Sequence, residues 1–406
     1  MGTPQTPYDA VLHAARDVAK LDNALDAEML GAALLGSVYS VAETERDAAV
    51  RDFVAGFLAA TSRRRSAAAT TIRSVFAALV PDAEGTDRVR PGAATPAWAG
   101  QLGRVHLTGC WSYGDVYGDQ TSYLATFAYD DPAGGSAHAV VTLLDHNIGI
   151  TKDVFVGGPP DRILDQVRQM CAGDELTWFR DEEPARMRAE VTRHLAITDG
   201  LTELPGEGSL ATDRALLGAR LALLPRAAGA APAPAEPLSA AERTDLVRRF
   251  LAAPEAARFG LDTIDGAELA SLHFCLSLLL DHAASFPDAD PMRWSPTVAG
   301  LFLLDWVHRR AVLDMDDAAM LPRVLRAWAG YAARKRGLPE QAAAQIDTAI
   351  EEMVPEFARL YSTGERRSPA TAAVAQLMAD GVDPDDPAAL DAWIEANRHR
   401  LTDDPA

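Results

Sequence analysis

The sequence predicts an α+β fold that is mostly helical, with a small antiparallel sheet in the N-terminal half and an all-α bundle in the C-terminal half. Three observations carry that prediction. Through most of the chain, apolar residues recur at three- and four-residue spacing, as on helices with one buried face. Between about residues 103 and 156 the period drops to two, the spacing of a strand with one face inward. A low-complexity run, PRAAGAAPAPAEP from Pro225 to Pro237, has too little apolar side chain to join a core and reads as an extended linker. The expected organisation is an α+β domain over 1–224, with the sheet at about 103–156, a linker at 225–238, a helical bundle over 239–361 and a short helical tail over 362–406.

The first eighty residues read as helices, with apolar positions at Val11, Ala15 and Val18 and again at Val50, Phe53, Val54, Phe57 and Leu58; Glu43 to Thr61 is the most clearly amphipathic stretch. A polar, proline-bearing segment, Pro81 to Gly100, ends the helical pattern. Arg104, His106, Thr108 and Cys110 then alternate with Val105, Leu107, Gly109 and Trp111, predicting a first strand. Thr121 to Tyr129 and His138 to His146 predict two more, joined as a hairpin by Asp130-Asp131-Pro132-Ala133-Gly134-Gly135, and Ile150 to Val156 predicts a fourth. Helices follow from Asp161 to about Met170 and from Pro184 to about Ile197. Beyond the linker, helices are predicted over Ala240–Ala252, Ile264–Ala284, Pro296–Val312, Leu321–Arg336 and Pro339–Tyr361, the last kinked at Pro355. The tail adds two short helices, Thr371–Ala379 and Pro387–Asn397, and the second carries Leu390, Trp393 and Ile394 on one face, which suits docking on a partner.

Composition restricts the function. The formal net charge of −20 argues against general nucleic-acid binding, which would need a local basic patch acting against the overall field. The candidate patches, Arg63-Arg64-Arg65, Arg334-Lys335-Arg336 and Arg398-His399-Arg400, are short and fall at predicted helix ends, where cations meet exposed carbonyls or water. Runs such as Leu276 to Leu280 are far shorter than the roughly 20 residues that span a bilayer, so no membrane span is expected. Cys110, Cys171 and Cys275 are odd in number and widely spaced, which suits a reducing compartment and buried thiols. With only Lys20, Lys152 and Lys335 against abundant Arg, Ala and Asp, the composition is that of a high-GC bacterial genome, and a bacterial cytoplasm is the expected setting.

Trp294-Ser295-Pro296, Leu303-Leu304-Asp305-Trp306-Val307-His308-Arg309-Arg310, Leu325-Arg326-Ala327-Trp328 and the tail Asp380-Gly381-Val382-Asp383-Pro384 with Leu390-Asp391-Ala392-Trp393-Ile394 resemble the helical region of uncharacterised actinobacterial proteins. Some of those also carry SEC-C or plasmid-type open-reading-frame modules. The resemblance covers the C-terminal third and implies lineage rather than an activity. The clustered Cys and His of the SEC-C metal box are missing from this sequence, so the resemblance implies no zinc.

Chemistry, if present, is expected on the sheet. Asp145-His146 at the end of the third strand, with Lys152-Asp153 after a Gly149 turn, is the densest set of ionisable groups in apolar surroundings. A carboxylate beside an imidazole can orient it as a general base or a metal ligand, and Lys152 could steady developing negative charge. The plain alternative is that these residues end a strand and satisfy turn amides. His106, His138 and His146 fall on one face if the strands keep strict alternation, which offers His106, Asp145 and His146 as a metal set; His138 and His146 are roughly 26 Å apart along one strand and cannot share an ion. Gly114-Asp115-Val116-Tyr117-Gly118-Asp119-Gln120 reads as a long hairpin connection, its spacing unlike a calcium loop. His273 and His282 fall on opposite faces of one helix, and Trp306, His308, Arg309, Arg310 and Trp328 could shape an anion pocket or simply pack. The sequence assigns no cofactor. Its leading functional reading is a protein–protein interaction or scaffold protein, with a protein partner or self-association expected; the alternative is a hydrolase, metal-assisted or not, using Asp145, His146, Lys152 and Asp153.

Overall fold

The computed structural model describes residues 6–90, 95–206, 209–226, 235–382 and 386–402, with the side chains of 267 and 398–402 excepted. The chain divides into two compact units, 1–232 and 233–406. Of the expected linker, residues 227–234 lie outside the described residues.

The first unit is the α+β half. Helices α1 (Pro7–Ala14), α2 (Ala24–Val41), α3 (Arg46–Thr61) and α4 (Ala67–Leu79) precede strands β1 (Val105–Asp115), β2 (Gln120–Tyr129), β3 (His138–Asp145) and β4 (Ile150–Gly157). Helix α5 (Pro160–Ala172), strand β5 (Thr177–Asp181), helix α6 (Pro184–Asp199) and helix α7 (Ser209–Leu221) complete it. The sheet is antiparallel with the order β4-β3-β2-β1-β5. The first four strands form a meander, as their short turns require. β5, short and half exposed, adds beside β1, where Trp178 donates from its indole to the Asp115 carbonyl at 2.8 Å. Its sequence, Thr-Trp-Phe-Arg-Asp, is too short to show a period, and it was not among the predicted strands.

One sheet face, through Cys110, Tyr123, Ala125, Phe127, Val140, Val154 and Val156, joins a core with α2, α3, α4, α6 and α7. The opposite face, through Trp111, Leu124, Val141 and Phe179, is covered by Ile163, Val167 and Cys171 of α5. Alternation in β1 breaks at a bulge: Leu107 pairs with Phe127 but Gly109 with Thr126, leaving Thr108 extra. The bulge keeps both Val105 and Cys110 in the helix-covered core, so Cys110 does not share the His106 face as strict alternation predicts. It also corrects the three-histidine face. His106 lies opposite Ala128 and His138 opposite Phe127, so these two imidazoles project from opposite sides of the sheet.

His138 is in fact part of a buried polar network. Glu28 of α2 accepts from Arg220 Nη2 of α7 at 2.5 Å, from the Tyr129 hydroxyl at 2.8 Å and from the Gly103 amide at 2.7 Å. Arg220 also donates through Nε to His138 Nε2 at 3.0 Å, and Glu28, Arg220 and His138 are each at most 2% exposed. Because Arg220 can only donate, His138 must offer its Nε2 lone pair and is held neutral. Burial first, then the Arg220 charge, pushes its pKa down to about 4. Helix α2 has the length and composition to cross a membrane, with mean hydropathy 1.2. Here half of that window is buried inside the protein, and its one buried acid is the partner of Arg220.

The second unit is helical: α8 (Ala240–Leu251), α9 (Pro254–Arg258), α10 (Gly266–Ala284), α11 (Pro296–Leu301), α12 (Val307–Arg310), α13 (Met315–Arg336), α14 (Glu340–Thr363), α15 (Pro369–Ala379) and α16 (Pro387–Thr402). The predicted helix over 296–312 is interrupted by a π-helical turn at Phe302–Trp306. That turn sets Phe302 and Trp306, four residues apart, each with its ring 5.2 Å from the ring of buried His282, which Phe286 and Trp294 also flank. Helix α13 starts six residues before the predicted Leu321, because Asp314 and Asp317 form a capping box and Pro322 is carried inside the helix. Helix α14 likewise runs on through Pro355.

Two outcomes are expected for the buried network. Arg220→Met leaves the Glu28 carboxylate buried without its counter-ion and should lower unfolding stability by about 3–5 kcal/mol, measured by urea denaturation; Glu28→Met/Arg220→Met should recover much of that loss. His138 titrates near 6.5 unfolded but near 4 folded, so the unfolded chain binds more protons in that interval. Its contribution is whole above pH 6.5 and is lost as pH falls towards 4; His138→Gln should flatten this part of the stability profile.

Candidate functional site

The four residues singled out at the rim of the sheet are each engaged, though not with one another as a set. Asp145 closes the β3–β4 turn: its Oδ1 accepts the Asn147 amide at 3.0 Å, and its Oδ2 lies 3.4 Å from Gln120 Nε2 and 4.0 Å from Lys152 Nζ. Gly149 in that turn has φ +74°, which a side chain would strain. His146 donates its amide to the Asp119 carbonyl at 2.8 Å, tying together the two hairpin turns at this end of the sheet. Its imidazole Nε2 meets Thr121 Oγ1 at 2.9 Å and stands edge-on to His194 of α6 at 5.2 Å. Asp153 caps the Val154 amide at 2.7 Å and accepts from the Ser209 hydroxyl of α7.

The structure thus joins Asp145 to Lys152 and turns His146 and Asp153 to separate partners. The expected metal set is not assembled either. His106 pairs with Asp130 at 3.2 Å, beside the Tyr129 end of β2, while Asp145 pairs with Gln120 at the opposite end of that strand. Eight residues of strand separate these ends, roughly 26 Å at the usual rise. Among the described residues, no three His, Cys, Asp or Glu side chains are placed to hold a metal ion. Asp115, in the Gly114–Gln120 connection, accepts the Asp119 amide at 3.0 Å and the Gln120 amide at 2.7 Å and so serves the turn, with Gly118 at φ +81°. In the second unit, Arg309 is drawn to Asp305 at 2.8 Å, His308 packs on Phe357 and Trp328 is fully buried. The side chains of 398–400 lie outside the described residues.

The role of Asp153 follows from the sheet edge. β4 is an outer strand, and three of its amides go to side chains: Thr151 to Thr198 Oγ1 at 2.9 Å, Val154 to Asp153, and Val156 to Asp213. An outer strand with its amides capped is a poor template for another strand. Burial first, with the Asp153 charge adding to it, raises the Asp213 pKa to about 6 although the Val156 amide acts the other way.

Sequence reasoning did not reach the polar cluster that lines a cavity of about 390 Å3 bordered by α2, α3, α6 and α7. Leu35, Val50, Leu195 and Leu221 give it apolar walls. Tyr39 donates to Asp199, and Arg214 Nη2 reaches Asp199 at 2.8 Å and Asp47 at 3.5 Å. Burial and then the Asp199 charge raise the Tyr39 pKa. Burial opposes the charge on Arg214, but Asp199, Tyr39 and Asp47 outweigh it, so the cation is retained. Such a cluster can orient a polar group. Of the thiols, Cys110 and Cys275 are buried, and burial pushes each pKa up to about 12. The only sequence signal for the cluster is a set of single charges in apolar helices, and their pairing is invisible along the chain.

Asp213 carries a sign opposite to that of His138. Its folded pKa lies above its unfolded one, so the folded chain binds the extra proton and this contribution falls as pH rises from about 4 through 6. Asp213→Asn should therefore raise unfolding stability at pH 7 by about 1–2 kcal/mol and leave it little changed at pH 4, read by denaturant titration at both pH values. No protein-family model, no curated protein and no solved structure matches this chain.

Proposed function

We propose that the chain is a non-catalytic interaction protein and that helix α15, with α16, docks on a protein partner. The observation that carries this reading is the surface of α15. Between Pro369 and Ala379 there is no charged residue, yet only Thr371 and Leu377 are buried. A helix apolar on all sides belongs inside a protein. Here Val374 and Met378, one turn apart, are 46% and 51% exposed, and Ile394 of α16 is 40% exposed. Ser368 and Thr371 both donate hydroxyls to the Arg309 carbonyl, at 2.9 and 2.6 Å, so one end of α15 is anchored while its apolar flank faces outward. Trp393 of α16 donates to Asp380 at 2.8 Å, which holds the two helices together. The occupant that fits is a protein surface with an apolar stripe, since an uncharged helix offers nothing to a charged ligand. The individually satisfied groups around Asp145 and His146 support the same reading.

The test uses Val374→Asp/Met378→Asp in the full chain. The wild type should form a complex with a partner identified by mass spectrometry and reconstituted from purified components, and the variant should lose it by at least about tenfold with an unchanged melting temperature. Sedimentation that shows wild-type dimers dissociated by the same variant would make the partner a second copy. Binding unaffected by the substitutions, or a hydrolytic activity abolished by His146→Ala at unchanged stability, would overturn the proposal.

A further inference from the structure

A second opening in the first unit, of about 760 Å3, lies between the C-terminal half of α3, the start of α4 and the segment after residue 83. Arg65, Arg73, Arg88 and Arg90 all line it, and Glu84 is the one acid of that lining. Among the described residues none of these arginines is paired with a carboxylate. Arg73 donates to the Thr61 carbonyl at 2.6 Å and the Arg64 carbonyl at 3.1 Å, and Arg90 donates to the carbonyls of Asp87 and Val89. Elsewhere in the chain arginines repeatedly find acids; neighbouring Arg64 reaches Asp9 at 2.6 Å. Excess acid makes four unneutralised arginines around one cleft all the more unusual, because the formal net charge is −20.

The cleft is also rigidly built on one side. Arg73 is 8% exposed, and its guanidinium closes the carbonyl end of α3, fixing the segment that carries Arg65. Burial, and after it the nearby charge of Arg65, lowers the Arg73 pKa. Thr70, in the first turn of α4, adds a hydroxyl to the lining, and the positive pole of that helix lies between Thr70 and Arg65.

We propose that this cleft binds a small, multiply charged phosphorylated compound, its phosphate oxygens engaged by Arg65 and Arg88 in front of the fixed guanidinium of Arg73. Guanidinium forks match phosphate oxygens in pairs, which favours phosphate over a single carboxylate. A nucleic-acid strand would extend beyond the cleft over a chain of formal net charge −20, whereas a small anion stays within about one Debye length, roughly 8 Å, of the arginines. This site is independent of the surface on α15.

The experiment titrates inorganic pyrophosphate into the full chain by calorimetry at low ionic strength, with a short single-stranded oligodeoxynucleotide as comparison. Pyrophosphate should bind, more weakly as salt rises, and Arg65→Gln/Arg88→Gln should reduce its affinity at least about tenfold without moving the melting temperature, since among the described residues neither side chain is paired with an acid. No pyrophosphate binding, equal binding by the variant, or tighter binding of the oligonucleotide at the same salt would each overturn the proposal. Should the double variant melt early, each single variant takes its place under the same criteria.

Discussion

The first unit depends on the Glu28–Arg220 ion pair. Burying two opposite charges is costly in desolvation, and the pair is tolerated because nearly every remaining valence is met: Glu28 also takes the Tyr129 hydroxyl and the Gly103 amide, and Arg220 also donates to His138 and Tyr129. The partners are 192 residues apart in sequence and belong to α2 and α7, while Tyr129 and His138 come from β2 and β3. A bond set this directional fixes the position of both helices on the sheet in a way that apolar contacts, which are indifferent to small slides, do not.

The placement of α7 decides two further features. Ser209, Asp213 and Arg220 are spaced by four and seven residues, so they share one side of that helix, and that side faces the sheet. With Arg220 anchored, Asp213 and Ser209 arrive at β4, where Asp213 takes an outer amide and Ser209 supports Asp153. Arg214, one residue further round, meets Asp199 and Tyr39 at the cavity. The closed edge of the sheet and the polar wall of the cavity are consequences of one helix held at one end. At that end of the sheet Asp145 and Asp153 accept amides and His146 donates its own, because hairpin turns and an outer strand need partners for amides that no strand supplies.

The two helical regions with unspent capacity differ in kind. In α15 the surplus is apolar surface on an uncharged helix, which suits another protein. Around Arg65, Arg73, Arg88 and Arg90 it is positive charge in a generally acidic chain, which suits a compact anion. Neither requires a catalytic group, and neither draws on the network that holds the sheet.

Local pattern was sufficient for the α+β class, the position of the sheet within the first half, four of its strands and most helices, because periodicity and caps are properties of neighbouring residues. Ser295-Pro296 before α11 is of this kind. What local pattern could not contain was decided in three dimensions. The bulge at Thr108 separates His106 from the face of His138, β5 exists because β1 offers it an edge, and the π-helical turn at Phe302–Trp306 forms where His282 waits to be enclosed. Charge pairing was the least legible of all: Glu28, Arg220, Asp199 and Arg214 are ordinary residues in their own helices, and only folding, by removing water from around them, made each one require a particular partner.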